Sequence, residues 1–308
     1  MAAGNKGQDM TFPLHELAAL GTAACWAASA ILAADAVARL GAFRVNLIRQ
    51  GFVAVLLACV VTATGGWHEI GPAAALTLAL SGVCGILLGD TLNFAAVGRI
   101  GPRRAGAVYA LNAPMAAIMG WAVLDEAPGW QAALGIGLAA AGVAVAILGR
   151  TRTDAHHLET VRGTLVAGVA FGLLAAFGQA TGSLIARPVM AAGADPWAAS
   201  LFRVGASGLM AGLIAVTPLA PPVPPGSGPV RRAVLLTLLT ALVGLFLGMM
   251  LFLYALQGAA TGIVATLSAT SPVLILPLLW LRTGQRPTAI SVLGGALAVT
   301  GLALIFTR

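Results

Sequence analysis

The sequence predicts an all-α membrane protein in which ten transmembrane helices form two inverted five-helix repeats. Three observations lead there. Of the 308 residues 59% are hydrophobic and only 9% charged, against about 25% charged in soluble domains, and the mean hydropathy is +0.95. The apolar residues fall in runs of about 20, the length that spans a bilayer as a helix. The second half of the chain also echoes the first. Strands are excluded because lipid cannot satisfy an open sheet edge, and the runs are too long for barrel strands.

Charges and Gly/Pro breaks bound each span in turn. The first, 14–36, follows "MAAGNKGQDMTFP", which lacks the basic n-region and short h-region of a cleaved signal, so this span is expected to be retained. The second, 45–65, runs from Arg44 to a Gly-Gly pair, and the third, 73–97, from Pro72 to just short of Arg99. The fourth, 105–124, lies between Arg104 and Asp125, and the fifth, 130–149, ends before Arg150. The sixth, 163–186, is bracketed by Arg162 and Arg187. The seventh, 197–217, lies between Pro196 and Pro218. The eighth, 233–257, follows Arg231 and Arg232, the ninth, 261–281, precedes Arg282, and the tenth, 288–306, follows Pro287. Connections are short and leave no room for a soluble domain. The polar "GRTRTDAHHLETVR" (149–162) divides the chain into a first repeat, 1–149, and a second, 163–308, joined through 150–162. "PLAPPVPPGSGP" (218–229) reads as an extended proline-rich link.

The arginines set an orientation. With ten spans, alternate connections share a side. One side carries Arg39, Arg44, Arg99, Arg103, Arg104, Arg150, Arg152, Arg162, Arg231, Arg232, Arg282 and Arg286; the other carries Lys6, Arg187 and Arg308. Short basic loops stay cytoplasmic, so both termini are expected outside a bacterial-type inner (plasma) membrane. The net charge of +7 then reflects topology and contact with anionic membrane lipids rather than nucleic-acid binding.

The internal repeat pairs "LNAPMAAIMGWAVLDEAPGWQAALGIGLAAAGVAVAIL" (111–148) with "SATSPVLILPLLWLRTGQRPTAISVLGGALAVTGLALIF" (268–306). Pro114 matches Pro272, Glu126 matches Gln285, Gly135 matches Gly294 and Gly142 matches Gly301. "FRVNLIRQG" (43–51) echoes "WAASLFRVG" (197–205), pairing Arg49 with Arg203. Units with an odd number of spans must insert in opposite senses. Inverted repeats are the usual frame of alternating-access carriers, with the substrate site at their interface.

These residues carry a family resemblance. The five-plus-five layout, the proline in the fourth span of each half and the Pro-x(6)-Gly-x(6)-Gly pattern closing each half resemble the EamA-type members of the drug/metabolite transporter superfamily, over nearly the whole chain. The resemblance implies a secondary carrier, usually an exporter of metabolites or amino acids, with a central cavity between the halves. This chain departs from the pattern twice. Members commonly keep their termini in the cytoplasm, where the arginines here argue for the outside. Gln285 stands where the first half has Glu126, so any role of that acid is not duplicated.

Asp90 is the residue that most demands a reason. It lies about eight residues, roughly 12 Å, inside the basic edge of its span, a depth that costs several kcal/mol unless it meets water, a partner or a proton. Its counterpart is Met249 or Met250, so symmetry does not require it. Asn93 shares its helix face one turn on, and Asn112 and Ser29 sit at similar depth, together suggesting a polar cavity open to the basic side. The residues leave two readings open: a substrate or proton site, or a structural pair between Asp90 and Arg49. The second half offers Gln179, Tyr254, Ser268 and Ser271, although Ser and Thr in membrane helices often bond their own backbone. For the serines near Pro272 there is a specific reason, since that proline frees the carbonyl at 268. Trp26 and Tyr109 are placed to stack on a flat substrate or to pack. Arg203 is expected to snorkel to the nearby membrane edge.

Other chemistry is thinly represented. "GASG" (205–208) matches the serine motif of intramembrane proteases, but none of His15, His68, His156 and His157 is placed as a base for Ser207, and close helix packing explains the motif. Cys25, Cys59 and Cys84 fall within spans and read as packing residues. No metal-ligand spacing or nucleotide-binding loop occurs, so neither a cofactor nor a metal is expected. The expected partners are a small-molecule substrate and membrane lipids, with export by proton exchange; a lipid- or peptide-modifying membrane enzyme and a non-transporting scaffold are the alternatives.

Overall fold

The computed structural model describes residues 13–148, 164–222, 229–271, 273–274 and 288–306. Among these the regular structure is entirely helical. The helices are α1 (Leu14–Leu40), α2 (Ala42–Thr64), α3 (Pro72–Gly101), α4 (102–109), α5 (Asn112–Leu124), α6 (Trp130–Leu148), α7 (Leu165–Ala191), α8 (Pro196–Ala215), α9 (Val230–Gly258), α10 (Thr261–Ser268) and α11 (Ala289–Phe306). Six of them, α1, α2, α3, α7, α8 and α9, are long and apolar enough to cross a membrane; Asn112–Leu124, Trp130–Val145 and Val292–Gly301 are shorter apolar helices. Large apolar side chains such as Val55, Ile118, Trp121, Leu174 and Val216 point outward, as a lipid-facing surface requires.

The expected fourth span is not one helix. The chain turns at Ala110–Leu111 between α4 and α5. Pro114 has no N–H for the Ala110 carbonyl, which accepts from the Ala113 N–H at 3.2 Å instead. The Asn112 side chain donates to the Tyr109 carbonyl at 2.6 Å. The expected ninth span breaks at the equivalent place: α10 ends at Ser268, and the Thr270 hydroxyl donates to the Leu267 carbonyl at 2.7 Å. Hydropathy missed both breaks because each is only a few residues long and lies between apolar runs that dominate the average. Pro272, Gln285, Pro287 and the 150–162 connection lie outside the described residues.

Two helices also carry a wide turn at matched places. Val83–Asp90 in α3 and Ala241–Leu247 in α9 are π-helical. Such turns displace the usual i→i−4 pairing and occur often at functional sites. The first contains a Gly-x-x-x-Gly, "GILLG" (85–89), the second runs into one, "GLFLG" (244–248), and the glycines admit another helix. α7 packs on the first turn through Gly178 and Gly182. Against the second, α1 places Ser29 on Gly244 and Trp26 on Gly248.

α6 and α11 make the tightest helix pair, and their contacts are reciprocal. A Cβ on Gly142 would overlap the Ala298 nitrogen and lie 2.7 Å from the Gly294 carbonyl oxygen. A Cβ on Gly301 would lie 2.5 Å from the Ala139 nitrogen and 2.6 Å from the Gly135 oxygen. Small residues let backbones approach where lipid supplies no hydrophobic drive.

Candidate substrate site

A cavity of about 90 Å³ lies among α1, α2, α3, α4, α9 and the end of α10. Its polar lining is Ser29, Arg49, Asp90, Asn93, Tyr109, Ser268 and Ser271, and Trp26, Phe94, Val97, Leu245 and Met249 supply most of its apolar wall. Seven of the candidate residues read from the sequence therefore meet here, together with Arg49.

The charged centre of the cavity is a pair. Arg49 Nη1 lies 3.4 Å from Asp90 Oδ2, and the Arg49 side chain is only 4% exposed against 20% for Asp90. The guanidinium also sits 4.7 Å over the Phe94 ring, a cation–π contact that strengthens when water is excluded. Arg49 Nε has no hydrogen-bond partner. At 3.4 Å the contact with Asp90 is long for a charge-assisted bond, so the guanidinium keeps donor capacity toward the cavity.

The wide turn of α9 shapes the opposite wall. The carbonyls of Gly244 within it and Gly248 just after it face α1, where Trp26 Nε1 donates to the first at 3.2 Å and the Thr22 hydroxyl to the second at 3.3 Å. The Ser29 hydroxyl reaches the Thr240 carbonyl at 3.4 Å. Trp26 packs against Phe252, with ring centroids 5.5 Å apart. Ser271 donates to the Ser268 carbonyl at 2.7 Å, so the carbonyl that Pro272 cannot engage finds its donor within the turn.

Three candidates do not reach the cavity. Asn112 is buried and occupied at the α4–α5 break. Tyr254 stacks beside His15, with centroids 4.7 Å apart, and its carbonyl accepts from His15 Nδ1 at 2.9 Å near the far end of α9. Gln179 is buried in α7 behind the wide turn of α3, and its Nε2 has no partner. Pro114 stays in the α5 first turn.

Arg203 departs furthest from expectation. It does not snorkel; it is fully buried. Its backbone fits against Gly82, where any Cβ would clash, and its Nη2 lies 3.2 Å from the position a Cβ would take on Gly85. The two glycines open the space that the edge-proximity argument did not foresee. None of its three guanidinium nitrogens has a hydrogen-bond partner.

A second polar cluster went unrecognised in the sequence. At the opposite end from the Arg99–Arg104 turn, Glu126 after α5 accepts from Arg187 Nε of α7 at 2.7 Å. Its other oxygen accepts from the Thr261 N–H at the start of α10 at 2.8 Å. Arg187 Nη1 donates to the Leu256 carbonyl of α9 at 3.0 Å. The carboxylate thus ties the α5–α6 connection to two helices of the second half, and Arg187 extends the cluster to a third. Loop parity, which puts Glu126 and Arg187 on the same side, was the signal available.

Ser207 is fully buried and without a hydrogen-bond partner, and neighbouring Gly208 packs on Gln50. Among the described residues no group of three or more His, Cys, Asp or Glu is placed to hold a metal ion.

The fold has a solved relative: a crystal structure described simply as that of a protein superposes with a TM-score of 0.75 at 16% identity, covering 95% of this chain and 96% of that one. No curated protein matches the sequence. The EamA-like transporter family model matches twice, over residues 14–148 and 166–307, each copy containing one arginine of the Arg49/Arg203 pair, and the chain belongs to that family.

Proposed function

We propose that the protein is a secondary transporter exporting small metabolites or amino acids by alternating access between two inverted five-helix repeats, 1–149 and 163–308, which together span the membrane ten times. The observation that carries this reading is the cavity itself: the Arg49–Asp90 pair sits where helices of both halves meet, and the Glu126–Arg187 cluster ties the halves together at the other end. That is the arrangement of a carrier closed on one side. The reciprocal Gly142 and Gly301 contacts and the matched wide turns support a repeat in the chain, and in the inverted arrangement a half-turn in the membrane plane would exchange each with its partner.

In this reading the cavity opens toward the arginine-rich loops, which face the cytoplasm, and the termini lie outside an inner membrane. Substrate binds at Arg49 and Asp90 and stacks on Trp26 or Tyr109. A cavity of about 90 Å³ is small beside the usual 300–1,000 Å³ of ligand pockets, so loading a metabolite requires the halves to part. Asp90, the partly exposed acid of the pair, is the group through which proton exchange drives export.

The test is flux in proteoliposomes of the purified protein, loaded with a panel of labelled metabolites and given an inward proton gradient. Saturable, gradient-stimulated release of at least one compound class is expected, with loss on Arg49→Gln. Release no faster than from protein-free liposomes across the panel would sink the reading.

A further inference from the structure

Two guanidiniums and one carboxylate occupy the membrane interior around the cavity. Arg49 lines it. Arg203 stands behind its α3 wall, against Gly85, one wide turn from Asp90 on the same helix; the two interact electrostatically. Asp90 is the single acid facing both among the described residues. Arginine does not deprotonate in proteins, so with Asp90 ionised this interior carries a net charge of +1, and with Asp90 protonated +2.

The second half keeps the arginine and lacks the acid: Met249 or Met250 stands where Asp90 would fall. An uncompensated buried cation is costly. Apart from Asp90, the cavity wall answers that charge with neutral groups. The Tyr109 hydroxyl and the amide of Asn93 can donate hydrogen bonds to an oxyanion, the Ser29 and Ser268 hydroxyls can do so by turning from the long contacts they make with the Thr240 and Ala19 carbonyls, and Trp26 and Phe94 offer an apolar bed.

We propose that the cavity selects a small organic monoanion, a carboxylate on a short apolar body, over neutral and cationic molecules of the same shape. The carboxylate takes the free side of the Arg49 guanidinium and brings the interior to neutrality. Arg203 does not touch it; it contributes its field through the glycine-thin wall of α3. The inference rests on the transporter reading for the cavity's purpose, though not for its charge.

Butyrate, butyramide and butylammonium share a carbon skeleton and carry −1, 0 and +1 at pH 7. Thermal unfolding of the purified full-length protein in detergent is followed by tryptophan fluorescence with each, up to 100 mM at constant ionic strength. Butyrate should raise the melting temperature in a saturable way, and the amide and amine should not. Asp90→Asn removes the opposing charge and should tighten the butyrate midpoint roughly tenfold, the scale of one like-charge repulsion in a partly hydrated site. Arg203→Gln should weaken it by a similar factor; if that variant does not fold, Asp90→Asn carries the test.

The proposal is overturned if butylammonium stabilises as well as butyrate, if none of the three gives a selective shift, or if Asp90→Asn loses the butyrate response. The transporter reading fails separately: a protein that binds butyrate yet releases nothing in the flux assay keeps the anion site and loses the transport. A protein that moves butylammonium but not butyrate does the reverse.

Discussion

The cluster around Glu126 allows a quantitative test of which end of the cavity is shut. Its carboxylate makes two hydrogen bonds, at 2.7 Å to Arg187 Nε and 2.8 Å to the Thr261 N–H. Charge-assisted bonds contribute about 1.5–3 kcal/mol each. The side chains are 15% and 16% exposed, so partial hydration discounts the pair, and about 2–3 kcal/mol in total is a fair expectation for Glu126→Ala. If this cluster holds the halves together only in the conformation described here, its loss shifts the closed-to-open ratio at that end roughly 30- to 150-fold, at 1.4 kcal/mol per tenfold. The readout is a cysteine at Ser271, half-buried in the cavity, in a background with Cys25, Cys59 and Cys84 replaced by alanine. A membrane-impermeant maleimide applied from the Glu126 side should label it slowly in the parent protein and at least tenfold faster in Glu126→Ala. Glu126→Gln should be intermediate, since its amide oxygen still accepts from Thr261 but cannot pair with Arg187. A labelling rate within twofold of the parent, in a folded Glu126→Ala protein, would refute the idea that this cluster closes that end.

Other consequences are as concrete. Asp90→Asn leaves Arg49 and Arg203 without their acid and should cost about 3 kcal/mol of stability; adding Arg49→Gln should recover part of it, a coupling that a double-mutant thermal cycle measures. Gly142→Val puts a branched side chain against Ala298 and the Gly294 carbonyl and should prise α6 from α11, lowering the melting temperature and yield of folded protein, whereas Gly137→Val, with nothing within 4 Å of its Cβ position, should be tolerated. Alkaline phosphatase fused after Arg308 should be active and a fluorescent protein there dark; the opposite pattern would turn the molecule over and put the arginine-rich loops outside.

What the sequence revealed and concealed divides along physical lines. Runs of apolar residues between charges located the long helices to within a few residues, because bilayer thickness leaves little freedom in length. Asp90, Asn93, Ser29 and Trp26, all inside spans by the same count, line one cavity. Which face each residue would present was not: Asn112 and Gln179 were grouped with the cavity residues, and helix rotation turned them elsewhere. The breaks after Tyr109 and Ser268 lie just before prolines in the sequence, and a proline's missing N–H is the signal for both. The wide turns left a trace in the two Gly-x-x-x-Gly runs, although such runs signal close packing without revealing a change of helical pitch. Arg203 was misjudged because proximity to a membrane edge says nothing of a neighbour, and Gly82 and Gly85, far away in sequence, are what make room for it.

The two halves differ in charge at one position, and in the proposed alternating-access cycle that difference has a use. Exchange of conformations between inverted repeats swaps the surroundings of equivalent residues. Arg49, paired and facing the cavity, would take the sealed place that Arg203 holds now, and Arg203 would come to the wall of a cavity opening on the other side. There it would meet no acid, because position 249 is methionine. In one state, then, a bound anion competes with Asp90 for an arginine; in the other it is the arginine's nearest compensation. A symmetric acid would make both states alike and leave both arginines paired without cargo. Keeping the acid in one repeat alone makes the two ends of the cycle unequal in their need for an anion, and gives a protonatable group to one of them only. In the proposed cycle the asymmetry at Asp90 would tie substrate charge and proton coupling to a single position, while the glycines that shape the scaffold can remain the same in both halves.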